Sequence, residues 1–406
     1  MIKVAVLGYG TVGSGVVEVI ETNKKSINQR VGDQVEIKYV LDLREFPGDP
    51  VEKVLVHDFN IILEDPEVDI VVETMGGLKP AYDFTKKSLL AGKSVCTSNK
   101  ELVAQHGPEL MQIAKEKNAN YLFEASCGGG IPIIRALNSS LTADVIEEIT
   151  GILNGTTNYI LSKMATDGSE FADALKEAQQ NGYAERNPDA DILGKDPCRK
   201  IAILSSLGFG KHLDWEKVYT EGITEITATD IKYAKALGCS IKLLASCRKV
   251  SDDKYTAMVA PMMINPANPL YSVNDVFNGV FVHGNMLGDA MFYGSGAGKL
   301  PTASAVVGDV VDMAKHLHED VMMPWNSEKM DLIDTDEVRN RFFVRVSGSA
   351  ETGLFAVQNV FGCVIPVSLE DVAGEFAFVT EEMTEKEYKE KAAQMPNILN
   401  MIRARI

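Results

Sequence analysis

The sequence predicts an α/β fold: a doubly wound parallel sheet at the N-terminus, an α+β region behind it, and a small βαββαβ unit at the end. Three observations carry this. Residues 2–7 (Ile-Lys-Val-Ala-Val-Leu) are a mostly apolar, β-branched run, as a strand buried on both faces requires. They lead straight into Gly8-Tyr9-Gly10-Thr11-Val12-Gly13 and then into a helical stretch at 16–20. Further strands at 35–40, 68–73, 94–97 and 120–124 alternate with helical stretches such as 81–91 and 108–117, the pattern of a parallel sheet covered on both faces.

The 406 residues exceed what one core usually organises, so two or three domains are expected. A net charge of -17 argues against nucleic acid as a main partner, because phosphate binding on that scale needs a basic surface. No run is long and apolar enough to cross a membrane, and no basic segment precedes the first strand, so a cytoplasmic protein is expected. The six cysteines contain no Cys-x-x-Cys pair, which leaves neither a zinc site nor a redox dithiol in view.

The order strand, Gly-x-Gly-x-x-Gly, helix is what a dinucleotide requires, and marks a Rossmann-type domain. Gly8 allows the tight turn, Gly10 lets a pyrophosphate approach the backbone, and Gly13 lets the helix pack close to the strand. The pyrophosphate would lie at the helix N-terminus, beside Thr11 and Val12. The second strand ends at Leu41-Asp42-Leu43-Arg44. Asp42 suits the ribose hydroxyls of NAD and Arg44 the 2′-phosphate of NADP, so either cofactor remains open. The loops at Thr74–Gly76, Ser98–Lys100 and Gly128–Gly130 follow later strands, and ligands of such sheets gather at those carboxyl ends.

The middle holds the densest polar segment. Residues 145–153 read as a strand ending in Asn154-Gly155-Thr156-Thr157-Asn158, followed by helices at 159–166 and 171–181. Then come Gly182-Tyr183-Ala184-Glu185, Asp191, Gly194, Asp196 and Lys200, with an apolar helix at 201–207. Pro197 suits the first helical position and Asp196 the N-cap, with Lys200 one turn on. One reading makes Asp196 a cap and Lys200 its surface partner. The other makes Lys200 a partly desolvated lysine able to move a proton.

Taken in order, Gly8–Gly13, Thr97-Ser98-Asn99-Lys100, Gly151-Ile152-Leu153-Asn154-Gly155-Thr156-Thr157-Asn158, Gly182–Glu185 and the Asp191/Gly194/Asp196/Lys200 run resemble homoserine dehydrogenase. The later Gly294-Ser295-Gly296-Ala297-Gly298 is similar to that family's Gly-rich turn before a long helix. The resemblance covers residues 1 to about 320. It implies interconversion of L-homoserine and L-aspartate 4-semialdehyde with NAD(P), in threonine and methionine biosynthesis. It makes Lys200 the proton-transfer residue, Asp196 and Lys100 its companions, and Glu185 and Asp191 substrate ligands. It adds Thr74, Gly76, Ser98, Lys100 and Gly296 to the cofactor set. It also implies a sodium ion on the 124–131 loop, held through Glu124, Cys127, Gly129 and Ile131, and a homodimer or homotetramer.

The expected divisions are a nucleotide domain at 1–130, a catalytic and dimerisation domain at 131–298, a linker at 319–340 containing Pro324, and a last unit at 341–406. A helix at 302–318 should return to the nucleotide domain. The stretch 138–153 suits pairing between subunits, or burial within one. The last unit resembles ACT domains, although Ser347–Thr352 departs from their usual turn, so architecture is expected there before effector binding. Two other functions fit parts of the pattern: a semialdehyde dehydrogenase using Cys127 as nucleophile, and a catalytically silent sensor of NAD(P) and amino acids.

Overall fold

The computed structural model describes residues 1–322 and 325–406; Pro324, placed in the expected linker, lies outside the described residues. Six parallel strands form the first sheet: β1 (Ile2–Leu7), β2 (Val35–Leu41), β3 (Leu55–Val56), β4 (Val68–Glu73), β5 (Ser94–Thr97) and β6 (Tyr121–Leu122). Their order is β3-β2-β1-β4-β5-β6, so the chain reverses direction between β1 and β4. That reversal opens a crevice at the carboxyl ends of β1 and β4. β1 is buried on both faces, with Val4, Ala5, Val6 and Leu7 all inaccessible, and each such Val or Leu contributes about 1.5–3 kcal/mol. Helix α1 (Thr11–Thr22) follows β1, and α2 (Lys100–Glu116) follows β5.

A 12-stranded sheet occupies the rest of the chain. Its first part holds β7 (Ile146–Ile152), β8 (Ser240–Lys249), β9 (Lys254–Ile264), β10 (Phe277–Gly284) and β11 (Gly288–Ser295) in the order β11-β10-β7-β8-β9, all antiparallel. β7 therefore has a strand on each side. Within one subunit this buries Ile149 and Ile152. The free edge belongs to β11, which leaves Tyr293, Met286 and Leu287 of its hairpin exposed. Helices α3 (Gly155–Asp167) and α4 (Lys195–Phe209) follow β7 in the chain. Gly208 lets α4 lie close on β7, since a Cβ there would be 2.7 Å from the Ile149 side chain.

Inside this domain Lys242 is 1% exposed and reaches no carboxylate. Its Nζ donates instead to the carbonyl of Val273 (2.6 Å) and the Oδ1 atoms of Asn274 (2.8 Å) and Asn158 (3.3 Å). Burial pulls its pKa down from 10.5 to about 8. An unfolded chain keeps this proton up to the ordinary value, whereas the folded one releases it near 8. Stability is then expected to rise with pH between about 8 and 10.5, recovering about 3 kcal/mol that the buried cation costs at neutral pH. Chemical denaturation across that range checks this, and Lys242→Met should flatten the rise; an equal slope in both proteins rules it out.

Helix α5 (Lys299–Lys315) returns to the nucleotide domain, starting three residues before the expected 302. Pro301 sits in its first turn, where no intrahelical N–H is needed. Gly15 of α1 permits the contact, because a Cβ there would lie 2.9 Å from the Ala303 side chain. Lys299 pairs with Glu18 of α1 (2.7 Å), and buried Asp309 accepts the Glu124 N–H (2.9 Å).

The C-terminal unit runs β12 (Arg339–Ser347), α6 (Ala350–Phe361), β13 (Val364–Val367), β14 (Glu375–Thr380), α7 (Glu385–Ala392) and β15 (Ile398–Arg405). This is the βαββαβ order, with antiparallel neighbours β15-β12-β14-β13. β15 also pairs in parallel with β9, matching Arg403 to Met262, so one sheet spans both units. Alternation along β12 divides its side chains between two cores. Phe342, Val344 and Val346 join the unit's own core, while Phe343 joins the main one. Two buried arginines fasten the seam. Arg345 meets Asp230 (2.9 Å) and Glu375 (2.7 Å); Arg403 meets Glu385 (2.6 Å) and Glu221 (2.6 Å).

The 319–340 stretch is laid onto the body of the protein. It buries Trp325, whose ring lies against Gly107 of α2, and pairs Asp331–Leu332 with β9. Among the described residues, no helix is long and apolar enough to cross a membrane.

Candidate active site

The Gly-rich turn lies in the crevice between β1 and β4. A Cβ on Gly13 would fall 1.8 Å from the Gly8 carbonyl oxygen and 2.8 Å from Thr74 Oγ1, so no larger residue fits. Thr74 sits beneath the turn, donating its hydroxyl to the carbonyls of Leu7 and Gly8 (3.0 Å each). Gly10 differs: nothing lies within 4 Å of where its Cβ would be. No side chain caps α1 and no acid occupies its first turn, so its leading N–H groups are available to an anion. The adjoining cavity of about 540 Å³ is lined by Gly8, Gly10, Asp42, Arg44, Thr74 and Met75. These features fit a dinucleotide.

Asp42 and Arg44, alternatives in the sequence, are bonded to each other. Arg44 Nε reaches Asp42 Oδ1 and its Nη2 reaches Oδ2, both at 2.9 Å. Asp42 also accepts the N–H groups of Tyr9 (2.8 Å) and Arg44 (3.0 Å). The Arg44 guanidinium holds the Asp42 carboxyl well below the ordinary range despite partial burial.

Helix α4, the start of α2 and the chain just after β7 bring a second polar cluster together. Helix α4 begins at Lys195 with Gly194 as its N-cap, in a left-handed conformation at φ +79°. Asp196 is therefore inside the first turn, and the expected capping role for it is corrected. Its carboxylate is taken by lysines: Oδ1 is 2.5 Å from Lys100 Nζ, and Oδ2 is 2.8 Å from Lys200 Nζ. Lys200 is itself buried and also donates to the Leu153 carbonyl (2.8 Å), which excludes the reading of it as a surface partner. An ammonium has three protons, so one remains for a ligand.

Burial alone would raise the Asp196 carboxyl, but Lys200 and Lys100 outweigh it and hold it well below its ordinary value. Burial likewise opposes the charge on Lys100, and Asp196 more than offsets this, leaving its pKa raised. Asp191, just before α4, stands differently. Burial first, and then the nearby Asp196 anion, push its carboxyl up.

Lys100 owes its position to the end of β5. Asn99 caps α2 through Leu102 N–H (3.2 Å) and donates to the Gly77 carbonyl (2.5 Å). Ser98 N–H bonds the Glu73 carbonyl at 3.4 Å. Glu73, inaccessible at the end of β4, accepts from Thr97 Oγ1 (2.5 Å) and Met75 N–H (2.7 Å), tying the 74–76 loop to the 97–99 loop. Sequence reasoning missed Glu73. An acid directly after the apolar run Ile70, Val71 and Val72 was the available signal for it.

Other expected residues fall elsewhere. Glu185 is exposed and its side chain makes no polar contact among the described residues. Its loop is pinned to α3 by Thr156 Oγ1, which donates to the Tyr183 carbonyl (2.6 Å). Gly296 lies against Gly129, where a Cβ would be 2.4 Å from the Gly296 carbonyl carbon. Both Glu124 oxygens accept backbone N–H groups, from Ile134 (2.8 Å) and Arg135 (2.7 Å). Cys127 is inaccessible, its Sγ donates to the Lys200 carbonyl (3.6 Å), and burial pushes its thiol up to about 12. A thiol so placed forms no thiolate near neutrality, so it is unsuited to be a nucleophile.

A dinucleotide crevice beside two lysines gripping one buried carboxylate defines an NAD(P)-dependent oxidoreductase acting on a CH–OH group. The model for the homoserine dehydrogenase NAD-binding domain matches residues 8–124, and that for homoserine dehydrogenase matches 132–311. The chain belongs to the homoserine dehydrogenase family. It is 37% identical to the Bacillus subtilis homoserine dehydrogenase over 96% of this chain and 93% of that one. With the Synechocystis homoserine dehydrogenase the identity is 46%, over 77% and 73%. The crystal structure of the Thiobacillus denitrificans homoserine dehydrogenase superposes with a TM-score of 0.90 at 34% identity, over 100% of this chain and 98% of that one. A hyperthermophilic archaeal homoserine dehydrogenase mutant in complex with NADPH aligns at 28% identity and a TM-score of 0.65, over 77% and 97%.

Proposed function

We propose that Lys200 moves the proton in the interconversion of L-homoserine and L-aspartate 4-semialdehyde, with Asp196 and Lys100 as its fixed companions. The observation that carries this is the grip of both lysines on the one buried carboxylate. When bound in the crevice, NAD(P) would supply or take up the hydride exchanged with the carbon bearing the oxygen. Lys200 holds a proton at that oxygen, giving it to a forming alkoxide or taking it from the alcohol. Its positive charge also stabilises the alkoxide directly. Asp196 neutralises the lysine pair without leaving the helix, and Lys100 brings a second cation from the end of β5. Asp191 and Glu185 face the substrate's donor groups, Glu185 with an exposed carboxylate suited to an ammonium.

The cofactor would be held by Gly8, Gly10, Thr11, Val12 and Gly13, with Thr74, Gly76 and Ser98 on the facing loops and Gly296 near the following domain. Arg44 favours NADP, because Asp42 has its lone pairs occupied while the exposed guanidinium can turn to a phosphate. Steady-state oxidation of L-homoserine with NAD+ and NADP+ tests both parts, Lys200→Ala for the proton and Arg44→Ala for the phosphate. Arg44→Ala is expected to raise KM for NADP+ about 10–100-fold, the worth of a charged hydrogen bond, and to leave NAD+ nearly unchanged. Equal effects on both cofactors would reject the role for Arg44.

A sodium ion would be held mainly by backbone carbonyls, at Glu124, Cys127, Gly129 and Ile131. Support lies in the left-handed turn at Gly128 and Gly129, which leaves this loop's backbone irregular. Its work would be to brace the loop that touches the Lys200 carbonyl through Cys127. The exposed β11 hairpin supports a homo-oligomer joined along that edge. The 341–406 unit is accessory to catalysis, a division supported by the end of the family match at residue 311.

A further inference from the structure

The two acids nearest Lys200 share one neighbour. Asn154 Nδ2 donates to Asp191 Oδ1 at 2.7 Å and to Asp196 Oδ2 at 2.8 Å. The amide is not free to turn over. Its Oδ1 accepts from Thr157 N–H (2.9 Å) and Thr157 Oγ1 (3.0 Å) as the N-cap of α3, so the NH2 group must face the acids. Asn154 is itself 5% exposed, so water does not substitute for it.

Two carboxylates this close ordinarily share a proton, because their like charges raise the cost of ionising both. Asp196 escapes through its lysines. Asp191 does not: among the described residues no ion pair joins it to Lys100 or Lys200, the charged groups that face it with Asp196. Among the described residues, the one hydrogen bond its side chain accepts comes from the Asn154 amide.

We infer that Asn154 is a positioning residue that lets Asp191 and Asp196 be anionic together, giving one amide proton to each and reserving the rest of Asp191 for an N–H or O–H of the substrate. The inference rests on the reading that Asp196 and Lys200 serve the proton transfer. It separates two duties of Asn154: its oxygen caps a helix, and its nitrogen keeps the acids apart in role.

Two substitutions divide those duties. Serine and aspartate both cap helices about as well as asparagine. Asn154→Ser keeps a cap and removes the amide protons; Asn154→Asp keeps a cap and adds a third anion. The readout is the pH profile of kcat/KM for L-homoserine oxidation by the full chain, with Tm alongside. Losing the donor raises the Asp191 pKa, so its anion forms only at higher pH. The acid limb is expected to move up by about one pH unit in Asn154→Ser, the worth of one such hydrogen bond, and further in Asn154→Asp. Below the parent's acid limb that is about a tenfold loss in kcat/KM, recovered above the shifted limb.

An acid limb that stays in place in folded Asn154→Ser overturns the inference and leaves Asn154 a helix cap. If that variant does not fold, an unmoved limb in Asn154→Asp overturns it equally. An active Lys200→Ala would instead remove the underlying reading. An inactive Lys200→Ala with an unmoved Asn154→Ser profile removes this inference alone.

Discussion

Lys200→Ala is expected to lower kcat/KM for L-homoserine oxidation by about 10²–10⁴-fold while NAD(P) affinity stays within a few-fold. The asymmetry follows from where the lysine stands. Its Nζ belongs to the Asp196 cluster at the start of α4, whereas the cofactor turn is built from β1, α1 and the loop after β4. The loss should fall mainly on kcat, because the interaction removed is made with the oxygen whose charge changes during the reaction. Lys200→Arg should restore little. A guanidinium keeps the charge but does not give up a proton, and its planar fork does not match a site bonded to Leu153 O and Asp196. Truncation also leaves a buried carbonyl without its donor, so Tm should fall, and activity is to be read well below the new Tm. A loss under tenfold in a folded variant would show that the proton moves by another route.

The second large effect belongs to the Gly-rich turn, where Gly13→Ala and Gly10→Ala should fail for different reasons. At position 13 the new methyl would sit 1.8 Å from a backbone oxygen of Gly8. Neither group is the flexible end of a side chain, so α1 must shift away from β1. Loss of NAD(P) binding by at least about a hundredfold is expected, with a lower Tm, as for strong overpacking. At position 10 the methyl meets no protein atom within 4 Å. That variant should fold with an unchanged Tm and still bind NAD(P) about tenfold or more weakly, because the methyl fills space needed by the pyrophosphate. Calorimetric titration with each cofactor, beside thermal melts, distinguishes them. Tight binding by Gly10→Ala would place the pyrophosphate elsewhere.

What could be read from the sequence was local. The turn at Gly8–Gly13 carries its own context of strand and helix within twenty residues, and the four-residue spacing of Asp196 and Lys200 places them on one face wherever the helix begins. The misreading of Asp196 as a cap has a definite origin. Pro197 looks like a first helical residue, but the Gly194 left-handed turn starts the helix earlier, and the partners that claim the carboxylate arrive from β7 and from the start of α2. Glu73 was hidden for the same reason, since its partner Thr97 meets it only when β4 and β5 pair. The 319–340 stretch is rich in acids and reads as solvated, yet Trp325 and Met330 anchor it. The merging of two strand sets into one sheet depends on edge pairing between β9 and β15, which no periodicity within either strand announces.

That shared sheet bears on how the molecule comes apart. β15 is at once the last strand of the small unit and the neighbour of β9, and Arg403 is held by Glu385 on one side and Glu221 on the other. Gly222, next to Glu221, lies so close to the chain before α4 that a Cβ there would be 2.1 Å from the Ile192 carbonyl, and Ile223 N–H bonds that same oxygen at 2.9 Å. Release of β15 is therefore expected to loosen backbone adjoining Asp191, so that β15 and the start of α4 open as one cooperative unit rather than separately.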